Sequence, residues 1–273
     1  MSKIVVNTEE HPLDNYLWAG RFPHMWCPGC GIGIMLGCFF RSLIKSNLTL
    51  DKVVVVSGIG CTGRVAGYVK LTSFHTTHGR AIPFATGLKL AKPELKVVVF
   101  SGEGDLVTIG GNHFIHAARR NIDMTVICAN NFNYGMTGGQ LSSTTPVGAI
   151  TTTSQMGSLE RPVNIPYLAE ASGATYVARW TTAHVSRLEK AITAALLKKG
   201  FSLVEAILSC PTYYGRRNKQ VTGLEQMKYY RDNSVVKDGI DAKDVDIKYD
   251  GPIIVGKFVD IEQPYLPHVK DGK

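Results

Sequence analysis

The sequence predicts an α/β fold, a mostly parallel sheet with helices on both faces. Three observations point there. Val53–Val56, Val97–Phe100, Met124–Cys128 and the run opening at Phe201 are short, apolar and rich in β-branched residues, the pattern of strands buried on both faces. Amphipathic or small-residue stretches of helical length lie between several of them. The runs end in glycine or polar turns, and strand C-terminal ends in such a sheet share one edge, where ligands bind.

Composition sets the outer bounds. The chain has 273 residues and is 44% hydrophobic, enough for one large α/β domain with a sizeable core. Met1–Glu10 offers Lys3 as its one cation and no long apolar run, so no signal peptide is expected. No stretch of 18 apolar residues occurs, so the expectation is a cytoplasmic protein without membrane contact. The net charge is +8; residues 1–221 carry 22 Lys/Arg against 12 Asp/Glu, and residues 222–273 carry 8 against 10. A basic body could serve nucleic acid, but there is no run of five cations and no nucleic-acid module, so none is expected. An acidic partner or an anionic substrate is served equally well. Six cysteines are too few for a disulfide scaffold of this length.

Residues 1–21 are polar and irregular and are read as an N-terminal arm. The domain proper is placed at 22–211. It opens with Cys27-Pro28-Gly29-Cys30 in a Pro/Gly turn before an apolar helix from Ile32 to about Ile44. C-x-x-C alone fits a metal site, a redox dithiol or a structural zinc half-site. The Val53–Val56 strand runs into Ser57-Gly58-Ile59-Gly60-Cys61-Thr62-Gly63-Arg64, a glycine turn whose N–H groups can form an anion nest. Arg64 can meet a carboxylate by a two-bond fork. His75, His78 and Arg80 precede a helix over Phe84–Lys92, a setting that suits an anion, although single histidines are commonly structural hydrogen-bonders.

Lys96–Thr145 organises the chain. Val97–Phe100 ends in Gly102-Glu103-Gly104-Asp105, which turns the backbone and sets carboxylates at the strand end. A helix follows, with His113, His116, Arg119 and Arg120 read as structural. The next strand, Met124–Cys128, stops at Asn130-Asn131. Carboxylate and amide oxygens at one sheet edge suit Mg²⁺, which takes its other ligands from phosphate and water, so the segment reads as a site for a Mg²⁺-diphosphate cofactor. The bland alternative is a plain glycine turn, since G-x-G alone is weak. Tyr134–Gln140 is a glycine loop, and residues 141–166 lack periodicity, the mark of a functional loop or partner surface. Then come a helix over Tyr167–Ser172, a strand over Thr175–Trp180, a helix over Ser186–Lys199 and a last buried strand ending near Cys210. Residues 212–273 are charged, Tyr-rich and weakly patterned, and are read as an extended tail packing on the body or a partner.

Cys61 and Cys210 follow strand ends and Cys27/Cys30 lie in a turn, so four thiolates can converge. Four sulfurs fit Zn²⁺ or an iron–sulfur cluster. A neighbouring carbanion-forming cofactor would favour the redox cluster. Cys38 and Cys128 read as small buried hydrophobes.

The Gly-Glu-Gly-Asp turn followed by Asn131 one βαβ unit later resembles the thiamine-diphosphate signature. That resemblance implies Mg²⁺ on Glu103, the Asn131 side chain and the Asn133 carbonyl. Glu103 stands where the signature has Asp, which makes Asp105 an alternative ligand. More broadly, WCPGCG at 26–31, SGIGCTGR at 57–64, HTTHGRAIPFATGLKLA at 75–91, the segment 102–131 and YGMTGGQLSSTTP at 134–146 resemble the β subunits of 2-oxoacid:ferredoxin oxidoreductases. The tail IIVGKFVDIEQP is similar to that of the 2-oxoglutarate-specific members.

The resemblance implies a thiamine-diphosphate-binding fold and a [4Fe–4S] cluster on Cys27, Cys30, Cys61 and Cys210. It implies a diphosphate lined by Ser57, Gly58, Ile59, Gly60, Cys61, Gly102, Gly104, Asp105, Gly135, Met136 and Thr137, with His75 and His78 as further cofactor contacts. Arg64 becomes the candidate for the substrate carboxylate. The implied reaction is 2-oxoacid + coenzyme A + oxidised ferredoxin → acyl-CoA + CO₂ + reduced ferredoxin, with 2-oxoglutarate favoured over pyruvate or branched 2-oxoacids. An α subunit supplies the glutamate that activates the aminopyrimidine, so the chain alone is expected to be inactive. The rivals are a non-redox thiamine decarboxylase or ligase, which leaves the cysteines idle, and a non-catalytic zinc or Fe–S interaction subunit, which leaves Glu103 and Asn131 unexplained.

Overall fold

The computed structural model describes residues 12–267, so residues 1–11 of the expected N-terminal arm lie outside the described ones. The strands are β1 Val53–Ser57, β2 Thr72–His75, β3 Lys96–Gly102, β4 Met124–Asn130, β5 Tyr176–Thr181, β6 Phe201–Ile207, β7 Ser234–Val236 and β8 Ile253–Asp260. The helices are α1 Ile32–Ser46, α2 Gly60–Gly63, α3 Val65–Tyr68, α4 Ala81–Ala91, α5 Gly111–Arg119, α6 Ile165–Ala171, α7 Val185–Leu197 and α8 Gly223–Asn233. One eight-stranded sheet has the order β2-β1-β3-β4-β6-β5-β8-β7. Every neighbouring pair is parallel except β5 with β8. The expected strands and helices are present, with ends displaced by a few residues.

Alternation divides the core into two layers. Val53 and Val55 of β1 join Val98, Phe100, Ile127 and Val204 beneath α1 and α7. Val54 and Val56 join Val97, Val99, Val126 and Leu203 beneath α4, α5 and α6. Successive side chains on a strand point to opposite faces, so a run such as VVVV supplies both layers at once.

One row of this interior is charged. Arg179 of β5 and Glu205 of β6 are register partners, and Arg179 Nε donates to Glu205 Oε2 at 2.6 Å with both side chains buried. Such a pair persists only when its remaining polar atoms are also satisfied. Here Arg179 Nη1 donates to the Val245 carbonyl at 2.6 Å and Glu205 Oε1 accepts from Asn130 Nδ2 at 2.7 Å.

The segment after 211 differs from the expected extended tail. It carries α8, whose start is a capping box in which the Thr222 hydroxyl accepts from Glu225 N and the Glu225 carboxylate accepts from Thr222 N. It then adds β7 and β8 to the sheet, β8 pairing antiparallel with β5. Among the buried residues of β8, Ile253, Ile254, Val255, Phe258 and Val259 include a continuous apolar run that two-sided burial explains.

Candidate active site

Strand C-terminal ends build the site. β3 ends at Gly102, and Glu103 opens a wide π-helical turn over Gly104–Ile109. β4 ends at Asn130, beside β3 in parallel register with Gly102 opposite Ala129. The chain then turns sharply at Phe132, whose φ is +63°, a conformation that costs a bulky residue energy and is kept where the surroundings enforce it. The Phe132 N–H donates to Asn130 Oδ1 at 3.1 Å, and Asn133 Nδ2 donates to the Asn131 carbonyl at 2.8 Å. Asn131 and Asn133 are thereby fixed, buried, beside Glu103.

These elements enclose one cavity. Of the residues expected at the cofactor, Ile59, Gly60, Cys61, His78, Gly102, Glu103, Gly104, Asp105, Asn131, Asn133, Gly135, Met136 and Thr137 all line it. Four others lie off its wall. The Ser57 hydroxyl is spent on the Gly63 carbonyl at 2.8 Å. A side chain at Gly58 would fall 1.9 Å from Asp105 Oδ2, so Gly58 matters by making room for that carboxylate. His75 sits beside Gly63, its pKa lowered by burial and by Arg64. Arg64 is exposed one turn beyond Cys61 and does not line the cavity.

The two carboxylates differ in setting. Asp105 is tied down: Oδ1 accepts from Gly79 N at 2.9 Å and meets His78 Nδ1 at 2.8 Å, while Oδ2 accepts from Ser101 Oγ at 2.7 Å. Glu103 is 2% exposed and Oε1 accepts from Ser142 Oγ at 2.9 Å. Burial pushes its pKa up to about 7 against the pull of Ser142 and the backbone N–H groups of Glu103, Asn131 and Gly104. Among the described residues no Lys, Arg or His forms an ion pair with Glu103, whereas Asp105 meets His78. A buried carboxylate beside amide oxygens and short of a cation fits a divalent metal.

Sequence reasoning missed three groups here. Thr62 and Ala129 line the cavity. Tyr134 packs where a Gly104 side chain would stand, 2.4 Å from the ring, which is why that turn needs glycine. Ser142, and Thr144 behind it, belong to a stretch with no periodic signal, and nothing in the sequence marks them.

A second cavity adjoins the first. Cys27, Cys30, Cys61 and Cys210 all line it, with Met25, Trp26, Pro211 and Tyr213. Cys61, Asn131, Gly135 and Met136 belong to both cavities and form a shared wall. Burial first, and then the neighbouring thiols, push Cys30 up to about 12 and Cys61 up to about 11. Thiolates that oppose one another's ionisation around a cavity fit a cationic group placed between them. Among the described residues no three His, Cys, Asp or Glu side chains gather as ligands of a single ion. Cys38 and Cys128 are buried within α1 and β4, as expected.

The comparisons with known proteins agree with this geometry. Residues 58–206 match the family described as thiamine pyrophosphate enzyme, C-terminal TPP binding domain. The chain is 49% identical to 2-oxoglutarate synthase subunit KorB of Methanothermobacter marburgensis over 96% of this chain and 91% of that one. It is 38% identical to 2-oxoacid:ferredoxin oxidoreductase 2, subunit beta, of Aeropyrum pernix over 86% of this chain and 75% of that one. The chain belongs to the 2-oxoacid:ferredoxin oxidoreductase β-subunit family. It is similar in fold to a solved 2-oxoglutarate:ferredoxin oxidoreductase from Magnetococcus marinus that has 2-oxoglutarate, coenzyme A and succinyl-CoA bound. The TM-score is 0.83 at 32% identity, covering 94% of this chain and 88% of that one. As a β subunit of such an oxidoreductase it is one part of a multisubunit enzyme. No helix among the described residues is long and apolar enough to cross a membrane.

Proposed function

We propose that this β subunit, with its companion α subunit, carries out coenzyme A-dependent oxidative decarboxylation of a 2-oxoacid, 2-oxoglutarate above pyruvate or branched 2-oxoacids, and passes electrons through a [4Fe–4S] cluster to ferredoxin. The observation that carries the reading is the shared wall: four thiols surround one cavity, and the Glu103–Asn131 cavity lies directly against it. Bound there, thiamine diphosphate supplies the electron sink for decarboxylation. An electron acceptor one wall away gives those electrons a short exit.

This chain's own residues hold and orient. Glu103, Asn131 and the Asn133 carbonyl would hold Mg²⁺, favoured over Asp105 because the three side-chain and backbone bonds to Asp105 leave its oxygens engaged. Gly60, with φ +81° and open space at its missing side chain, lets the backbone approach the diphosphate closely. Gly135–Thr137 close the opposite wall. Cys27, Cys30, Cys61 and Cys210 would hold the cluster; thiols ringing a cavity favour a cluster over a single zinc ion. The 2-oxoglutarate preference rests on the relatives at about half identity and on the substrate named for the Magnetococcus enzyme. Arg64, exposed near Cys61, is the cation of this chain offered to the substrate carboxylate.

The test is co-purification with the native partner under anaerobic conditions. The preparation should reduce methyl viologen with 2-oxoglutarate and coenzyme A faster than with pyruvate, and the isolated β chain should not. A broad absorption near about 400 nm that dithionite bleaches is expected. A colourless, zinc-replete protein would sink the redox reading.

A further inference from the structure

The thiol cavity opens beside a surface that neither cofactor requires. Trp18, Phe22 and Met25 are 45%, 40% and 55% exposed, unusual for large apolar side chains so close together. Tyr68 gathers them. Trp18 N donates to the Tyr68 carbonyl at 2.9 Å, Met25 N donates to Tyr68 Oη at 2.8 Å, and the Phe22 ring lies 5.5 Å from the Tyr68 ring. Arg21 and Lys70 both lie over the Trp18 ring, at 5.4 and 5.7 Å. Met25 also lines the thiol cavity, and two residues further on Cys27 is the exposed member of the four thiols. On this surface Arg21 and Lys70 stand over Trp18, and Lys70 Nζ donates to the Asp14 carbonyl at 3.3 Å.

We propose that this cationic, aromatic patch is the docking surface for the electron-acceptor protein, a ferredoxin presenting an acidic face, and that electrons leave past Cys27. The inference rests on the four thiols holding a cluster. The step is an outer-sphere transfer: one electron leaves the reduced cluster, which returns to its oxidised state, and the acceptor's iron centre gains it. No bond forms and no proton moves. Tunnelling weakens steeply with distance, so the acceptor must approach the exposed thiol. Transient redox contacts are small and depend on charge to steer the encounter, which this patch provides.

The companion subunit is the rival occupant, and the surface chemistry directs it elsewhere. Residues 141–159 contain no charged residue and expose Met156 at 98% and Leu159 at 92%. Permanent interfaces favour such apolar, uncharged surface.

The experiment uses the assembled enzyme carrying Arg21→Glu with Lys70→Glu, and separately Lys70→Gln. Turnover is measured with a ferredoxin of net negative charge and with methyl viologen, across a salt series. The double variant should raise the KM for ferredoxin about tenfold or more at low salt and flatten its salt dependence. Lys70→Gln should shift KM the same way by less. Methyl viologen reduction, visible absorption and subunit co-purification should match wild type. A ferredoxin KM within twofold of wild type would overturn the docking assignment alone. Loss of co-purification would also overturn it and give the patch to the companion subunit. A wild-type enzyme unable to reduce methyl viologen would sink the proposed function as well.

Discussion

Ser142 Oγ donates to Glu103 Oε1 at 2.9 Å, both side chains buried, and joins the cavity to a chain of polar groups that crosses the sheet. Ser142 Oγ lies 3.3 Å from Thr144 Oγ1, which donates to Asn130 Oδ1 at 3.0 Å; Asn130 Nδ2 reaches Glu205, and Glu205 meets Arg179. This buried carboxylate is therefore anchored through three residues, Ser142, Thr144 and Asn130, to a buried ion pair. Connected buried networks are stiff when every member is satisfied. Glu103 is one methylene longer than Asp, and this network fixes its reach from behind.

Ser142→Ala should weaken metal binding more than it weakens the fold. A hydrogen bond to a charged group is worth about 1.5–3 kcal/mol, which is roughly ten- to hundredfold in affinity. Manganese titrations followed by electron paramagnetic resonance, with thiamine diphosphate present, read the effect directly. Ser142→Thr keeps the hydroxyl and should recover most of the affinity. Equal binding by wild type and the alanine variant would remove Ser142 from the site.

Cys210→Ala should abolish the visible absorption of the anaerobically purified enzyme, while Cys128→Ala leaves it intact. Cys210 lines the thiol cavity, and its Sγ lies 4.0 Å from Asn133 Oδ1, in the segment proposed to hold Mg²⁺. Cys128 is buried within β4, opposite Glu205. An unchanged spectrum in the first variant, or a lost one in the second, would reassign the ligands.

Most of the sheet was legible because burial on both faces writes itself as β-branched runs such as Val53–Val56. The cavity residues were legible because Gly102–Asp105 and Asn131 stand at strand ends, where a parallel sheet must collect its functional groups. Ser142 was not, since a hydroxyl in an aperiodic loop looks the same whether it meets water or Glu103. Arg64 stands outside the cavity, exposed, because the turn it follows continues as α2 and α3. The sheet contribution of β8 was hidden by its place beyond charged, weakly patterned residues, and only its pairing with β5 gives IIVGKFVD a partner.

Gly58→Ala should destabilise the chain far more than Gly60→Ala. A methyl at Gly58 would fall 1.9 Å from Asp105 Oδ2 and drive that carboxylate off Ser101, Gly79 and His78. Each buried partner left unpaired costs about 1–3 kcal/mol, so a loss of roughly 3 kcal/mol or more is expected. At Gly60 a methyl meets nothing within 4 Å, and the cost is the left-handed backbone alone, about 1–2 kcal/mol. Yet Gly60 lines the cavity, so its variant should lose thiamine diphosphate affinity while remaining folded. Urea unfolding and cofactor-induced fluorescence changes separate the two effects; equal losses of stability would contradict the packing argument.

The far edge of the sheet makes a prediction about pH. Lys96 starts β3, and its Nζ donates to the Lys198 carbonyl at 3.3 Å. Burial, with Lys199 and Lys89 nearby, pulls its pKa down to about 8, although Asp123 opposes the shift. Asp123 is already bound by Lys89 at 2.9 Å. In the unfolded chain the same amine holds its proton to about pH 10.4. Between those values the unfolded state binds more protons, so stability contributed by Lys96 rises with pH. Lys96→Met lacks that dependence. The stability of wild type minus variant should therefore climb by about 1.5 kcal/mol from pH 8 to 9.5, the slope steepening toward roughly 1.4 kcal/mol per pH unit. Urea unfolding of both proteins at several pH values measures it, and a difference that stays flat across the window would show that Lys96 is charged and solvated in the native state.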